Sequence, residues 1–322
     1  MGSTHGTDSG RRFVGITALV ATVILWSTFA ITIRAIGTSS LTTLDVAILR
    51  FTVPVVLLAP WSLRAFRAVR RERPAVRWVL LSAGLPHFLL VALGGHLTSA
   101  ALVGLVVPGT VPMFVALIAF AMWRRRVSAA RTAALVAIAL GVALSAAESV
   151  STAMTKGILV LLIGGFVWAI YTLGLRETTL RPVDVVLYVG GLSSISAVLL
   201  AVTHVLPSHL VSGTARLHDI LLFTLLQGVG TGVLSTVAFA TAVRELGSGI
   251  ASASGAVSPV IAAIVAVPIL GEELRPQLIA PLALIALGVG LFNLLGDGSG
   301  AKVIAQRARI RRASGEARAA AA

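Results

Sequence analysis

Ile138-Ala139-Leu140-Gly141-Val142 returns 147 residues later as Ile285-Ala286-Leu287-Gly288-Val289, and Leu144 and Leu291 extend the match. Pro112 and Pro259 share that separation. Gly15, Trp26 and Arg34 recur as Gly157, Trp168 and Arg176 at a separation of 142. Any one match is weak in a chain so rich in Ala, Leu, Gly and Val. Two nearly equal offsets carry more, because the first set opens each half and the second closes it. The chain reads as two copies of one unit.

Each closing motif lies inside a long apolar run. A window of about 20 apolar residues crosses a bilayer core of roughly 30 Å. Ten such windows fall near 13–36, 42–62, 77–97, 101–122, 130–148, 156–175, 183–206, 219–242, 249–271 and 276–295. They leave short connectors, an N-terminal segment over 1–12 and a basic tail over 296–322, with no room for a soluble domain. Composition agrees, at 57% hydrophobic and 12% charged, where a soluble domain carries about 25% charged residues. The sequence predicts an all-α polytopic membrane protein with ten transmembrane helices. Five spans in each half, 13–148 and 156–295, make the second copy enter from the opposite side. The two five-helix repeats are then inverted, an arrangement on which alternating access is commonly built.

Basic residues set the orientation. With a cytoplasmic N-terminus, 21 of the 26 Lys and Arg fall in the inner segments and tail. Both termini are therefore expected in the cytoplasm. A pI near 11.8 would suggest nucleic acid on a soluble surface, but charge divided among loops on one membrane face excludes that partner. Arg11 and Arg12 precede the first span as a secretory signal would have them. The run from Phe13 to Ile36 is longer than an h-region of about 7–15 residues, so cleavage is not expected. Arg outnumbers Lys 24 to 2, as in GC-rich bacterial genomes, which makes the expected location the bacterial cytoplasmic membrane. The chain has no Cys, which excludes a disulfide scaffold, a thiolate metal site and cysteine catalysis.

Over about residues 13–295 the chain resembles ten-span, EamA-type members of the drug/metabolite transporter superfamily. Leu25-Trp26-Ser27-Thr28-Phe29, Leu49-Arg50-Phe51 and Ser99-Ala100-Ala101-Leu102 ahead of Pro112 carry the resemblance in the first half. Gly271-Glu272 and Leu287-Gly288-Val289 carry it in the second. The resemblance implies a permease for a small organic molecule (an amino acid, a metabolite or a drug-like compound), with export favoured over uptake. One departure stands out. Where the first half should carry a Gly-Glu after its fourth span it has Arg124-Arg125-Arg126, so a symmetric glutamate pair is not expected. A membrane enzyme needs a convergent set of nucleophile, acid or metal ligands. No H-E-x-x-H, G-x-S-x-G or carboxylate cluster occurs, so neither catalysis, cofactor nor metal is expected. A lipid-linked headgroup flippase and a non-transporting scaffold stay open, as does a homodimer.

A charge buried within a span is costly and points to function by default. Arg50, some nine residues into the second span, has two roles open: binding an anionic group, or anchoring its helix to neighbouring carbonyls. Arg34, at the outer end of the first helix, is read as a structural residue that snorkels to the headgroups. No Asp or Glu lies at a span centre. Were flux coupled to a proton, His87 would be the mid-span titratable group; a packed neutral imidazole is the competing account. Trp26 and Trp168 occupy equivalent positions of the two halves, with Tyr171 one turn on. With Thr28, Thr110, Gln227, Thr231, Ser254 and Ser258 they are candidates to line an apolar pocket bearing a few polar groups. Core packing of the rings is the alternative. Pro108 and Pro112 in the fourth span, and Gly255 and Pro259 in the ninth, are candidate helix breaks that would expose polar backbone to a cavity.

Overall fold

The computed structural model describes residues 4–124, 126–148, 151–246, 257–272 and 276–295, with residues 4–11 described by backbone alone. Every regular element among them is helical. In chain order these are α1 (Thr4–Ala35), α2 (Thr43–Leu57), α3 (Ser62–Arg71), α4 (Pro74–Leu81), α5 (Leu85–Leu97), α6 (Ala100–Trp123) and α7 (Ala129–Ala147). The second half continues with α8 (Thr152–Glu177), α9 (Pro182–Val202), α10 (His209–Ser212), α11 (Leu217–Phe223), α12 (Ser235–Leu246), α13 (Ser258–Leu270) and α14 (Pro276–Leu294). Between α11 and α12 the chain forms wide π-helical turns over Thr224–Leu234.

Eight helical stretches are long and apolar enough to cross a membrane, and the bent pair α2–α3 makes a ninth if counted as one span. The expected ten is thus not reached among the described residues, for two reasons. α3 turns away from α2 by 64°, so the second span is shorter than the 42–62 window. Only the α13 part of the 249–271 window lies within the described residues. At the other end, α1 begins at Thr4 and carries its helix through the polar segment expected to precede it. The chain is an all-helical, multi-pass membrane protein.

Short polar residues start the helices. Ser99, Ser128 and Ser151 each accept a hydrogen bond at the N-cap of α6, α7 and α8, satisfying donors that have no partner inside the helix. Thr42 and Asp45 form a capping box on α2. Asp45 is fully buried and also takes the Ser208 hydroxyl at 2.5 Å and the backbone N–H groups of His209 and Leu210, pinning the 203–216 connection to α2.

Helix neighbours repeat between the halves. α1 packs on α12 and α13, while α8 packs on α5 and α6; α7 and α14 form the most extensive pair. One continuous core draws on both halves, with Ile33, Phe88, Val106, Ile138, Leu161, Phe223 and Ile285 among its buried members. Leu, Val and Ile side chains stay exposed along nearly every span. Such a surface suits lipid, where helix association needs close packing rather than escape from water.

The bundle has two ends. One carries Arg34, Ser99 and Glu272 and is called here the Glu272 face. The other carries Glu72, Thr178 and Arg181 and is called the Glu72 face. At the Glu72 face the turn between α3 and α4 is tied to the loop after α8. The Glu72 carboxylate accepts hydrogen bonds from the backbone N–H groups of Arg73 and Thr179 and from the hydroxyls of Thr178 and Thr179, at 2.7–3.1 Å. Burial alone would raise its pKa, but these four donors hold it down to about 2.

Candidate functional site

Deep in the bundle, α2 presents Arg50 to the π-helical turns. Its Nη1 donates to Gln227 Oε1 at 2.5 Å and to Thr231 Oγ1 at 2.7 Å. Gln227 is fully buried and donates through Nε2 to Thr32 Oγ1 of α1 at 2.5 Å. The guanidinium carbon lies 4.7 Å from the Phe29 ring centre and 5.8 Å from that of Phe88, close enough for cation–π attraction. Among the described residues, Arg50 makes its hydrogen bonds through Nη1 alone, and Nε and Nη2 have no protein acceptor there.

The local sequence explains the geometry. π-Helical turns are rare and often sit at functional sites; here they widen the helix where Gly228, Gly230 and Gly232 alternate. A Cβ at Gly228 would stand 2.7 Å from Val53, and one at Gly232 would stand 2.7 Å from Pro54. Absent side chains therefore let α2 approach until Arg50 reaches both Gln227 and Thr231.

A second irregularity lies in the third span, broken between α4 and α5 at Ser82–Gly84. The first free N–H of α5, on Leu85, is satisfied from outside by Ser193 Oγ of α9 at 3.0 Å. Just beyond it, His87 is buried, its ring 4.8 Å from that of Trp168, and Trp168 lies 5.1 Å from Tyr171. His87 Nε2 has no hydrogen-bond partner among the described residues. An unsatisfied buried nitrogen is costly unless something fills the place.

The sequence candidates thus sort into groups. Arg50, Gln227 and Thr231 come into direct contact. His87, Trp168 and Tyr171 form a stacked row on the α5–α8 side. Trp26 pairs instead with Phe239 of α12, 5.1 Å between ring centres. Thr28 and Thr110 turn their hydroxyls back onto their own helices, to Ile24 and Val106 carbonyls. Ser258 meets Ser27, whose hydroxyl donates to the Ser258 carbonyl at 2.8 Å. Ser254 and Gly255 lie outside the described residues. Thr32, Phe29 and Phe88 are participants the sequence reading missed. The only available signal was their spacing, Phe29 and Thr32 three apart on α1 and Phe88 beside His87.

The fourth-span break candidates need correction. α6 runs unbroken from Ala100 to Trp123 through Pro108 and Pro112. In a bilayer the alternative to helix is unpaired backbone in hydrocarbon, so a helix survives the loss of one bond. Pro259 sits in the first turn of α13, a helix that begins inside the 249–271 window. The residues just before it, Gly255 among them, lie outside the described ones, so the ninth-span break stays a candidate. Among the described residues, interruptions also fall in the third and eighth spans, one as a gap and one as a widened turn.

Arg34 also differs from expectation. It is ion-paired, Nε to Glu272 Oε1 at 3.1 Å, and the same carboxylate accepts the Ala100 N–H at the start of α6 at 3.1–3.2 Å. Gly271, in the left-handed conformation at φ +64°, ends α13 and turns Glu272 into place. This tie joins the ends of α1, α6 and α13. A cavity of about 460 Å³ opens beside it, lined by Arg34, Ser99, Glu272, Leu97, Met154 and Leu278. The Arg50 cluster lies apart from that cavity.

Residues 155–294 match the EamA-like transporter family. The second half of the chain is thus similar to that family. Its match spans α8 to α14 and so includes the π-helical turns, Gln227, Thr231, Trp168 and Glu272. A solved crystal structure, 20% identical, superposes with a TM-score of 0.55 over 90% of this chain and 99% of its own, a likeness of fold alone. No curated protein matches the chain. The match covers the second half alone, and the apolar helices run through both halves. The family is one of transporters and not of enzymes.

Proposed function

We propose that the chain is a secondary transporter of the bacterial cytoplasmic membrane. It exports a small organic molecule, an amino acid, metabolite or drug-like compound, by alternating access between two inverted five-helix repeats spanning 13–148 and 156–295. The observation that carries this reading is Arg50. A guanidinium inside the membrane, bonded through one nitrogen and leaving its other N–H groups free among the described residues, is poised to take an anionic group such as a carboxylate. His87 Nε2 supplies a second unfilled polar position, and Trp168 and Tyr171 supply apolar surface for the rest of the molecule. If flux is coupled to a proton, His87 is the residue to carry it.

The mirrored helix pairs support the inverted repeat. The excess of Arg on the Glu72 face supports placing that face in the cytoplasm. On this reading the Arg34–Glu272 tie closes the outer side, and it must open for substrate to leave.

The test is flux into proteoliposomes across a panel of amino acids and drug-like compounds. Saturable flux that Arg50→Ala abolishes and Trp168→Ala weakens is the expected result. Flux that does not saturate, or that Arg50→Ala leaves unchanged, overturns the assignment of the site. A flippase would instead move a labelled lipid headgroup in the same vesicles.

A further inference from the structure

We propose that α3 is an interfacial helix that binds anionic phospholipid headgroups in the leaflet at the Glu72 face. Its sequence, Ser62-Leu63-Arg64-Ala65-Phe66-Arg67-Ala68-Val69-Arg70-Arg71, divides into three sectors at 100° per residue. Ala65, Ala68 and Val69 turn inward and pack on α9. Leu63 and Phe66 share a second sector and are exposed at 62% and 60%. Arg64, Arg67 and Arg71 share the third and are also exposed. Arg70 falls between Phe66 and Leu63 within the apolar sector, with its guanidinium 5.7 Å from the Phe66 ring, as a side chain does when it reaches up from an apolar surface to a polar one.

Position along the bundle gives a second, independent line. The 64° bend takes α3 out of the direction of α2, so the helix does not continue across the membrane. Glu72 then fastens its end to Thr178 and Thr179. Exposed tryptophans cluster at this same end: Trp61 just before α3, Trp78 on α4 and Trp123 closing α6. Tryptophan collects at the membrane–water boundary, so these three rings mark the headgroup depth, and α3 lies at it. A helix held there with Leu63 and Phe66 exposed dips them into the acyl boundary. Its arginine row then meets the phosphates, where an anionic surface attracts each basic residue. The occupant is lipid and not a soluble protein, because the exposed apolar pair belongs to a helix at bilayer depth.

Full-chain protein in nanodiscs tests this by quenching of Trp61 fluorescence, taken as the difference between wild type and Trp61→Phe. Brominated phosphatidylglycerol should be enriched over brominated phosphatidylcholine at Trp61 by roughly fivefold or more, what one basic residue near an anionic surface supplies. The preference should shrink at high salt. Changing Arg64, Arg67 and Arg71 together to Gln should remove it, Lys at the same three positions should keep most of it, and Arg124→Gln with Arg126→Gln should leave it intact. Equal quenching by the two lipids in the wild type overturns the proposal without need of any variant. So does an equal loss in the Arg124/Arg126 control, which would assign the preference to overall charge. Absence of quenching by either lipid would place α3 against a protein partner or a second copy and overturn it as well.

Discussion

Ile285 of α14 lies over Gly141 of α7, and the reverse contact, Ile138 over Gly288, repeats it. A Cβ at Gly141 would stand 2.6 Å from Ile285 Cγ1 and 2.8 Å from the Pro281 carbonyl oxygen. At Gly288 the same atom would stand 2.7 Å from Ile138 Cγ1 and 2.9 Å from the Ala134 carbonyl oxygen. All four positions are related by the 147-residue offset. Such reciprocity, residue i on j and j′ on i′, is the mark of a two-fold contact. The two copies of the sequence motif pack on each other.

Replacing either glycine should therefore cost alike. Gly141→Val and Gly288→Val should each destabilise by about 1–3 kcal/mol, the range for forcing side-chain volume into a packed contact. Thermal unfolding in detergent reads this out. Ile285→Ala should partly rescue Gly141→Val, and Ile138→Ala should partly rescue Gly288→Val; relief is partial because a carbonyl also crowds each site. A rescue no better than the sum of single effects would sink the reciprocal-contact account.

The ends of α6 and α13 predict opposite signs for two substitutions. Arg124 closes α6 at φ +53°, and Gly271, 147 residues on, closes α13 at φ +64°. Glycine enters that region without the steric penalty other residues meet. Arg124→Gly should stabilise the protein by a few tenths to about 1 kcal/mol, while Gly271→Ala should cost about 1 kcal/mol. Melting temperatures that move in the same direction for both would contradict this.

Acid should act through Glu72. Its folded-state pKa is depressed to about 2, against about 4.3 in an unfolded chain. The stabilisation is present above the unfolded value and is lost as pH falls through the folded one, so the window is about pH 5 to pH 2. Its full size is on the order of 3 kcal/mol, appropriate to a carboxylate only 5% exposed. Glu72→Gln should lower the melting temperature at neutral pH and flatten its fall in acid. An unchanged acid profile would assign the sensitivity to other carboxylates.

Much of this architecture is legible in the residues. The burial pattern follows the repeat: Ile138 and Ile285 are fully buried, and Leu140 and Leu287 are exposed at 52% and 71%. A shared sequence makes a shared face. The irregular elements were hidden for a physical reason. Wide turns over Thr224–Leu234 leave the run as apolar as a regular helix would, so a hydropathy window averages over them. The gap at Ser82–Gly84 is closed by Ser193, more than a hundred residues away, and no local signal announces that partner. Prolines misled in the other direction, because the bilayer holds α6 helical through both of them. Arg50 was visible as an ionisable residue within a span, but its partners lie 177 and 181 residues ahead.

The Arg34–Glu272 tie predicts a change in access to the cavity beside it. The chain has no cysteine, so a single Ala263→Cys, in the wall of that cavity, reports alone to a membrane-impermeant thiol reagent. Glu272→Gln removes the charge pair and weakens the hold on the Ala100 N–H. With Arg34 partly exposed, at 35%, the pair is worth about 1 kcal/mol, which opens the closed state roughly fivefold more often. The introduced thiol should then label about fivefold faster from the outer side of right-side-out vesicles, with little change from the inner side. Conservative Arg34→Lys, which keeps a charge, should fall between the two. Labelling that is unaltered in Glu272→Gln would show that the tie holds the fold and does not gate it, and faster labelling from the inner side alone would reverse the orientation inferred from the arginines.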